Sequence, residues 1–161
     1  MFKNRIAGFL ILVIIGTVLS QCTSADRDSG GEISKSGDLN VNETRIGDCF
    51  IDFPDVTLEV TNISSVKAVP CTEPHSWQVF HKSSLLPGEY SDVAVIDASN
   101  EVCGSAIDAL FTSLNDLQYN EYRSADINII QPTEKSWANG NRAVDCLIGS
   151  NTQTYYSSVL D

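Results

Sequence analysis

The residues best suited to chemistry are Glu73 and His75, which flank Pro74. An imidazole titrates near neutral pH, and beside a carboxylate it can act as a general base or as a ligand. His75 also directly precedes a predicted strand and lies close to Cys71, which favours a structural hydrogen bond to the backbone beside a disulfide. Catalysis by Glu73 and His75 stays as the alternative.

Other polar residues have an equally plain structural explanation. Asp48, between a glycine and a cysteine, is a candidate catalytic acid, but an Asx-type contact to nearby backbone amides explains it more simply. Thr133 and Trp137 are predicted to be a helix cap and a core residue, in preference to a carbohydrate platform. The sequence has no Gly-x-Ser-x-Gly and no phosphate-binding glycine loop, and its carboxylates are too scattered to nominate a glycosidase pair. We therefore predict no enzyme and no cofactor.

The five cysteines indicate an exported protein. Four of them are spread through the later part of the chain: Cys49, Cys71, Cys103 and Cys146. Two disulfides are predicted for these four, because oxidising compartments preserve such bonds. Cys-x-x-Cys is absent, and the Cys71 and His75 pair is weak evidence for zinc, so no metal site is predicted.

The fifth cysteine, Cys22, follows a segment typical of a signal peptide, predicted over residues 1–21. Lys3 and Arg5 precede the apolar run from Ile6 to Leu19. Those 14 residues would span about 21 Å as a helix, less than the roughly 30 Å of a hydrocarbon core, so a membrane span is the weaker alternative.

The sequence Leu-Ser-Gln-Cys ending at Cys22 is similar to a bacterial lipobox, in which the cysteine is acylated. Gln21 departs from the small residue usual at that position, so ordinary cleavage near Ser20 or Ala25 competes. Lipidation at Cys22 would place the protein on the outer face of the cytoplasmic membrane, and ordinary cleavage would make it secreted. Each buried methylene of an acyl chain contributes about 0.8 kcal/mol to such anchoring.

The charge balance argues against nucleic acid as a partner. The chain has 10 basic and 21 acidic residues, and loss of Lys3 and Arg5 leaves eight basic residues and a net charge of −13. Binding to a polyanion requires clustered Lys and Arg that neutralise phosphates.

Composition divides the mature chain in two. Residues 22–44 are rich in Ser, Gly, Asp and Asn and poor in apolar side chains, so they are predicted to be a lipid-attached flexible tether. A flexible coil of this length reaches on the order of 25 Å. Residues 45–161 are predicted to form one domain, of a size that benefits from disulfides.

The predicted fold of that domain is α+β, a small antiparallel sheet with one main packed helix and two disulfides. The helix is expected between Ser91 and Leu114, where apolar residues including Cys103 recur near every 3.6 positions; its start, Val93 to Ile96, could instead be a strand. Thr133 is expected to cap a helical turn that Gly140 ends. Strands are predicted at residues 57–60, 65–71, 77–81, 126–131 and 142–148, the last being central because its residues alternate.

An ordered set of short motifs resembles the septum-formation domain family of exported actinobacterial proteins. The motifs are GDCF at 47–50, PCTEPH at 70–75, Cys103, PTEKSW at 132–137, and GNR at 140–142 followed by Cys146. Asn141 replaces an acidic residue often found before the arginine, which weakens an acid–arginine role at Arg142. The resemblance covers roughly residues 45–150.

Membership would imply a membrane-attached or lipidated extracytoplasmic domain with no agreed biochemical activity. Four cysteines allow three pairings, of which we favour Cys49 with Cys71 and Cys103 with Cys146. The first would join neighbouring strands, and the second would fix the helix to the central strand. The leading hypothesis is a non-enzymatic, lipid-anchored envelope module that binds a protein or a cell-wall component and is related to septum formation and cell division. A ligand-sensing ectodomain is a third possibility.

Overall fold

The described residues form eight strands and three helices. The structure, a computed structural model, describes residues 23–53 and 63–161. The strands are β1 (Asp26–Arg27), β2 (Ile33–Lys35), β3 (Gly37–Asn40), β4 (Cys49–Phe50), β5 (Ser65–Val69), β6 (Trp77–Ser84), β7 (Asp126–Ile130) and β8 (Ala143–Gly149). The helices are α1 (Asp92–Ser113), α2 (Asp116–Tyr122) and α3 (Glu134–Ala138), and Val41–Glu43 form a 3-10 turn.

Six of the strands form one sheet in the order β3-β5-β4-β6-β8-β7, and every neighbouring pair is antiparallel. Strands β1 and β2 form a separate two-stranded hairpin. Strand β8 has a neighbour on each side, as predicted from its alternating pattern. The predicted α+β class is therefore confirmed.

The core is divided between the two faces of this sheet. Along β8, Val144, Cys146 and Ile148 belong to the cluster that α1 covers, whereas Leu147 belongs to the cluster on the other face. The second cluster includes Ile33 and Leu39 from the N-terminal strands. The alternation in sequence therefore corresponds to a strand buried on both sides.

Helix α1 begins one residue later and ends one residue earlier than the predicted limits. The Ser91 side chain accepts a hydrogen bond from the Ala94 amide and caps the N-terminus. Val93 to Ile96 form the first turn, so the alternative of a strand there is wrong. Cys103 lies on the buried face, 1% exposed.

Both predicted disulfides are confirmed. Cys49 is bonded to Cys71, which joins the start of β4 to the turn that follows its neighbour β5. Cys103 is bonded to Cys146, which fixes α1 to β8. The two bridges therefore lie on different parts of the sheet and constrain different elements.

The predicted flexible tether is corrected by the structure for residues 23–44. These residues form β1, β2 and β3, and β3 pairs with β5 over four residue pairs. Ile33 and Leu39 are 7% and 5% exposed. Residues 23–44 have a polar composition because one side of each strand faces solvent. Burial of Ile33 and Leu39, together with the backbone hydrogen bonds between β3 and β5, orders the segment.

Several predictions concern residues outside the described part of the chain: the signal peptide, Cys22 and the strand at residues 57–60. Within residues 23–53 and 63–161, no helix is long and apolar enough to cross a bilayer. Three ordered segments had no predicted counterpart, namely β4, α2 and the C-terminal residues 152–161, which include the buried Tyr155 and Val159.

Candidate functional site

Asp48 is the buried half of an ion pair with Arg27. Each carboxylate oxygen accepts one hydrogen bond of 2.7 Å from the guanidinium, and Asp48 Oδ2 also accepts from the Arg45 amide at 2.7 Å. Asp48 is 3% exposed and Arg27 is 16% exposed. The hydrogen bonds to Asp48 raise the pKa of Arg27 above its ordinary value. All of these contacts are structural, and they join the N-terminal hairpin to the loop before β4.

A groove of about 470 Å³ opens beside this ion pair. Its walls are residues 30–33 of the hairpin turn, 45–49, 70–72, and Ser158, Leu160 and Asp161 from the C-terminal segment. Both sulfur-bearing residues of the Cys49–Cys71 disulfide line it. Ile46 and Leu160 are 54% and 40% exposed, so two apolar side chains of the groove are open to solvent.

His75 and Glu73 do not form a catalytic pair in this geometry. The imidazole Nδ1 lies 2.9 Å from the backbone carbonyl oxygen of Glu73, whereas the Glu73 carboxylate accepts a hydrogen bond from Ser36 at 3.0 Å. His75 is 1% exposed, and its buried Nε2 has no partner. Burial lowers the pKa of His75. The neutral imidazole is therefore enclosed, with a backbone contact and no access for a substrate.

The C-terminal segment covers His75 through Tyr155. The backbones of these two residues exchange hydrogen bonds of 3.0 and 2.8 Å. The Tyr155 ring stacks on Tyr122 with centroids 4.5 Å apart, and burial raises the pKa of Tyr155 to about 12. The Tyr122 hydroxyl in turn donates to the Ser157 carbonyl at 2.6 Å.

Gln78, which the sequence analysis did not identify, also holds the C-terminal segment against the sheet. Its amide nitrogen donates to Ser158 Oγ at 2.8 Å and its amide oxygen accepts from the Val159 amide at 2.7 Å. A glutamine in the middle of a strand gives no local signal of such a role, because its partners lie 80 residues away in sequence.

Thr133, Trp137 and Arg142 form a separate cluster near α3. Thr133 and Ser136 complete a reciprocal capping box, and Gly140 has the predicted left-handed conformation with φ of +87°. The Arg142 guanidinium lies 3.6 Å from the Trp137 ring centroid and donates to the Trp137 carbonyl at 2.7 Å. The Trp137 indole donates to the Gly88 carbonyl at 3.0 Å. These side chains close the α3 turn onto the sheet.

Thr44, Lys82 and Asp145 form a third polar cluster, also missed in the sequence. The Lys82 ammonium donates to the Asp145 carboxylate and to the Thr44 hydroxyl and carbonyl oxygens, each at 2.8 Å. Asp145 and Thr44 are 1% and 5% exposed. The cluster neutralises a buried carboxylate and fixes the end of the N-terminal segment to β6 and β8.

The sequence-predicted residues thus lie in two places. Asp48, Glu73, Pro74 and His75 flank the Cys49–Cys71 disulfide, and Thr133, Trp137 and Arg142 surround α3. Among the described residues, no group of three or more His, Cys, Asp and Glu side chains is arranged to hold a metal ion. Every polar side chain of the two motif clusters contacts the protein's own groups.

Comparison with known proteins places this arrangement in a family. The family model described as septum formation matches residues 54–146, more than half of the chain. The chain belongs to the septum formation family. No curated protein and no solved structure matches the chain significantly.

The septum formation match contains three of the four disulfide cysteines, and it ends at Cys146, within β8. Cys49 and Asp48 precede the matched residues, and the covering segment with Tyr155 follows them. The structure therefore adds two parts to the family region: an N-terminal hairpin that pairs through Arg27, and a C-terminal segment that covers His75.

Proposed function

We propose that this member of the septum formation family is a non-enzymatic, lipid-anchored module of the cell envelope that binds a protein or a wall component near the membrane. The observation that carries the proposal is the role of the motif side chains. Asp48, His75 and Arg142 each bond to the protein's own backbone or to a buried side chain. A domain whose distinctive residues maintain its shape is better suited to present a surface than to perform a reaction.

An extracytoplasmic location is supported by the two disulfides, since such bonds persist in oxidising compartments. A lipid anchor is supported by the signal-like leader and by the position of Cys22. Four of the five cysteines form the two bridges, which leaves Cys22 as the remaining thiol. Incorporation of a labelled fatty acid that Cys22→Ser abolishes is the expected result, and labelling unaffected by this change would refute the anchor.

The alternative, an envelope enzyme that uses Glu73 and His75, is disfavoured by the enclosure of the imidazole. Its 1% exposure and its contact with the Glu73 carbonyl, instead of the carboxylate, leave no room for a substrate at Nε2. An enzyme would require the C-terminal segment to move away from His75 first.

The disulfide-lined groove is the surface we assign to the partner. Its lining includes two exposed apolar side chains, Ile46 and Leu160, next to charged and polar groups and the disulfide cysteines. A photo-crosslinking amino acid at Ile46 tests this in cells, followed by mass spectrometry of the adducts. The matched control is the same amino acid at Leu86, which is 86% exposed and lies outside the groove. Adducts specific to Ile46 are expected; the same adducts at both positions, or none at Ile46, would contradict the assignment.

A further inference from the structure

The chain is fixed to the sheet from the first described residue. The Asp38 amide donates to the Thr23 carbonyl at 2.8 Å, and the Ala25 amide donates to the Asp38 carbonyl at 3.0 Å. Ser24 thereby forms a parallel bridge with Asp38 on the outer side of β3. Residue 22 is one peptide unit, about 3.8 Å between Cα atoms, from Thr23. Position 22 is therefore joined directly to a residue that is hydrogen-bonded to the sheet.

Gly37 gives independent evidence that this contact is built into the fold. A Cβ atom at Gly37 would lie 2.4 Å from the Thr23 carbonyl oxygen and 2.5 Å from both the Ser24 carbonyl carbon and the Ala25 nitrogen. All three atoms belong to the backbone, so they cannot move aside as a flexible side chain would. The absence of a side chain at position 37 is what allows residues 23–25 to lie against β3.

A second fixed point lies immediately after this segment. Arg27 donates to both oxygens of the buried Asp48 and to the Gly31 carbonyl at 2.8 Å. With one attachment at residues 23–25 and another at Arg27, the segment cannot pivot about its end. The direction in which the chain leaves the domain at residue 23 is therefore defined by the sheet.

We propose that the edge of the domain formed by residues 23–26 and strand β3 is a membrane-facing surface, held against the lipid headgroups by an acylated Cys22. The inference rests on the proposed lipidation of Cys22. The domain then lies against the bilayer in a defined orientation instead of moving freely at the end of a flexible tether.

The charge of helix α1 disfavours its contact with an anionic bilayer. Strand β7 is at the opposite edge of the sheet, five strand spacings or roughly 24 Å from β3. Helix α1 packs on β6 and β7 in that distant half. It carries four carboxylates, at Asp92, Asp97, Glu101 and Asp108, and no Lys or Arg. Anionic headgroups repel such a helix. The proposed membrane-facing edge also carries two carboxylates, Asp26 and Asp38, so the orientation depends on the short connection to residue 22 and not on charge.

Two exposed serines make the orientation measurable. Ser34 lies on β2 of the N-terminal hairpin, and Ser105 lies on α1. The lipidated chain with Ser34→Cys or Ser105→Cys is labelled with a fluorophore and reconstituted in vesicles of phosphatidylglycerol and phosphatidylcholine that contain a headgroup quencher. Quenching at position 34 is expected to exceed that at position 105, because Ser34 belongs to the N-terminal hairpin and Ser105 to the helix that packs on the distant half of the sheet. Equal quenching, or stronger quenching at position 105, would overturn the proposed orientation.

Two further variants separate this inference from the anchor itself. A Gly-Ser insertion of about 12 residues after Cys22 gives roughly 20 Å of freedom and is expected to equalise the two positions while the protein stays on the vesicles. Gly37→Val displaces residues 23–25 and is expected to reduce the difference without an insertion. A difference that survives the insertion would refute the role of the short connection. Cys22→Ser protein that still binds vesicles would refute the lipid anchor instead.

Discussion

The ion pair between Arg27 and Asp48 provides the sharpest test of whether the N-terminal segment belongs to the fold. Removing one partner of a buried pair leaves an uncompensated charge and typically costs about 3–5 kcal/mol. Arg27 retains some solvent contact, at 16% exposure, so we expect the lower end of that range, about 3 kcal/mol, for Arg27→Met. The free energy of unfolding is measured by urea denaturation of the oxidised mature chain, followed by circular dichroism.

The double variant Arg27→Met with Asp48→Leu separates the pair from its surroundings. Without either charge, no buried ion is left uncompensated, although the Arg45 amide loses its acceptor and the Gly31 and Glu43 carbonyls lose their donor. The loss in the double variant is therefore expected to be smaller than the sum of the single losses by about 2 kcal/mol, as for contacting residues.

The matched control is the exposed pair of Lys35 and Asp26 in the same hairpin. Their charged atoms are 3.4 Å apart and their side chains are 63% and 62% exposed. Lys35→Met is expected to change the free energy of unfolding by less than about 1 kcal/mol. If Arg27→Met is no more destabilising than Lys35→Met, residues 23–44 are not docked on the domain, and the flexible tether suggested by composition is restored.

Three further perturbations follow from the same structure. Burial lowers the pKa of His75 in the folded state, so the unfolded state binds the proton more strongly. The contribution of His75 to the free energy of unfolding should therefore be complete above about pH 6.5 and should fall below that pH by at most about 1.4 kcal/mol per pH unit. Denaturation at several pH values measures this pH dependence, and the His75→Gln variant should lack it. Replacing Cys103 and Cys146 by alanine should cost about 4 kcal/mol for their separation of 43 residues, and an unchanged unfolding midpoint would contradict the role of that bridge. Thr133→Ala should cost about 1 kcal/mol through loss of the α3 cap, with Thr133→Ser retaining the stability of the wild type in the same assay.

Periodicity predicted the elements whose pattern is local. Helix α1 repeats its apolar residues along 22 positions, and β8 alternates between two buried faces, so each was found within about one residue of its observed limits. The disulfide pairing was one of three that the four cysteines allow; it was favoured because it would fix the expected helix, with Cys103, to the central strand, with Cys146.

Residues whose partners are distant in sequence escaped prediction. Arg27 is one of several polar residues in a Ser- and Gly-rich stretch, and only the fold places it 2.7 Å from Asp48. Gly37 resembles any linker glycine until Thr23 to Ala25 are seen against it. The strand at residues 37–40 has a single deeply buried apolar side chain, Leu39, and so gives almost no alternating signal.

The position of the motif residues indicates where specificity for a partner must be sought. Four motif side chains form hydrogen bonds within the domain, namely those of Asp48, His75, Trp137 and Arg142. A substitution at any of them would change the structure of the domain before it changed the binding of a partner. The exposed apolar groups lie outside these motifs, and Ile46 is 54% exposed on the groove. The motif residues therefore build the domain, and the proposed binding role is left to the exposed residues along the groove.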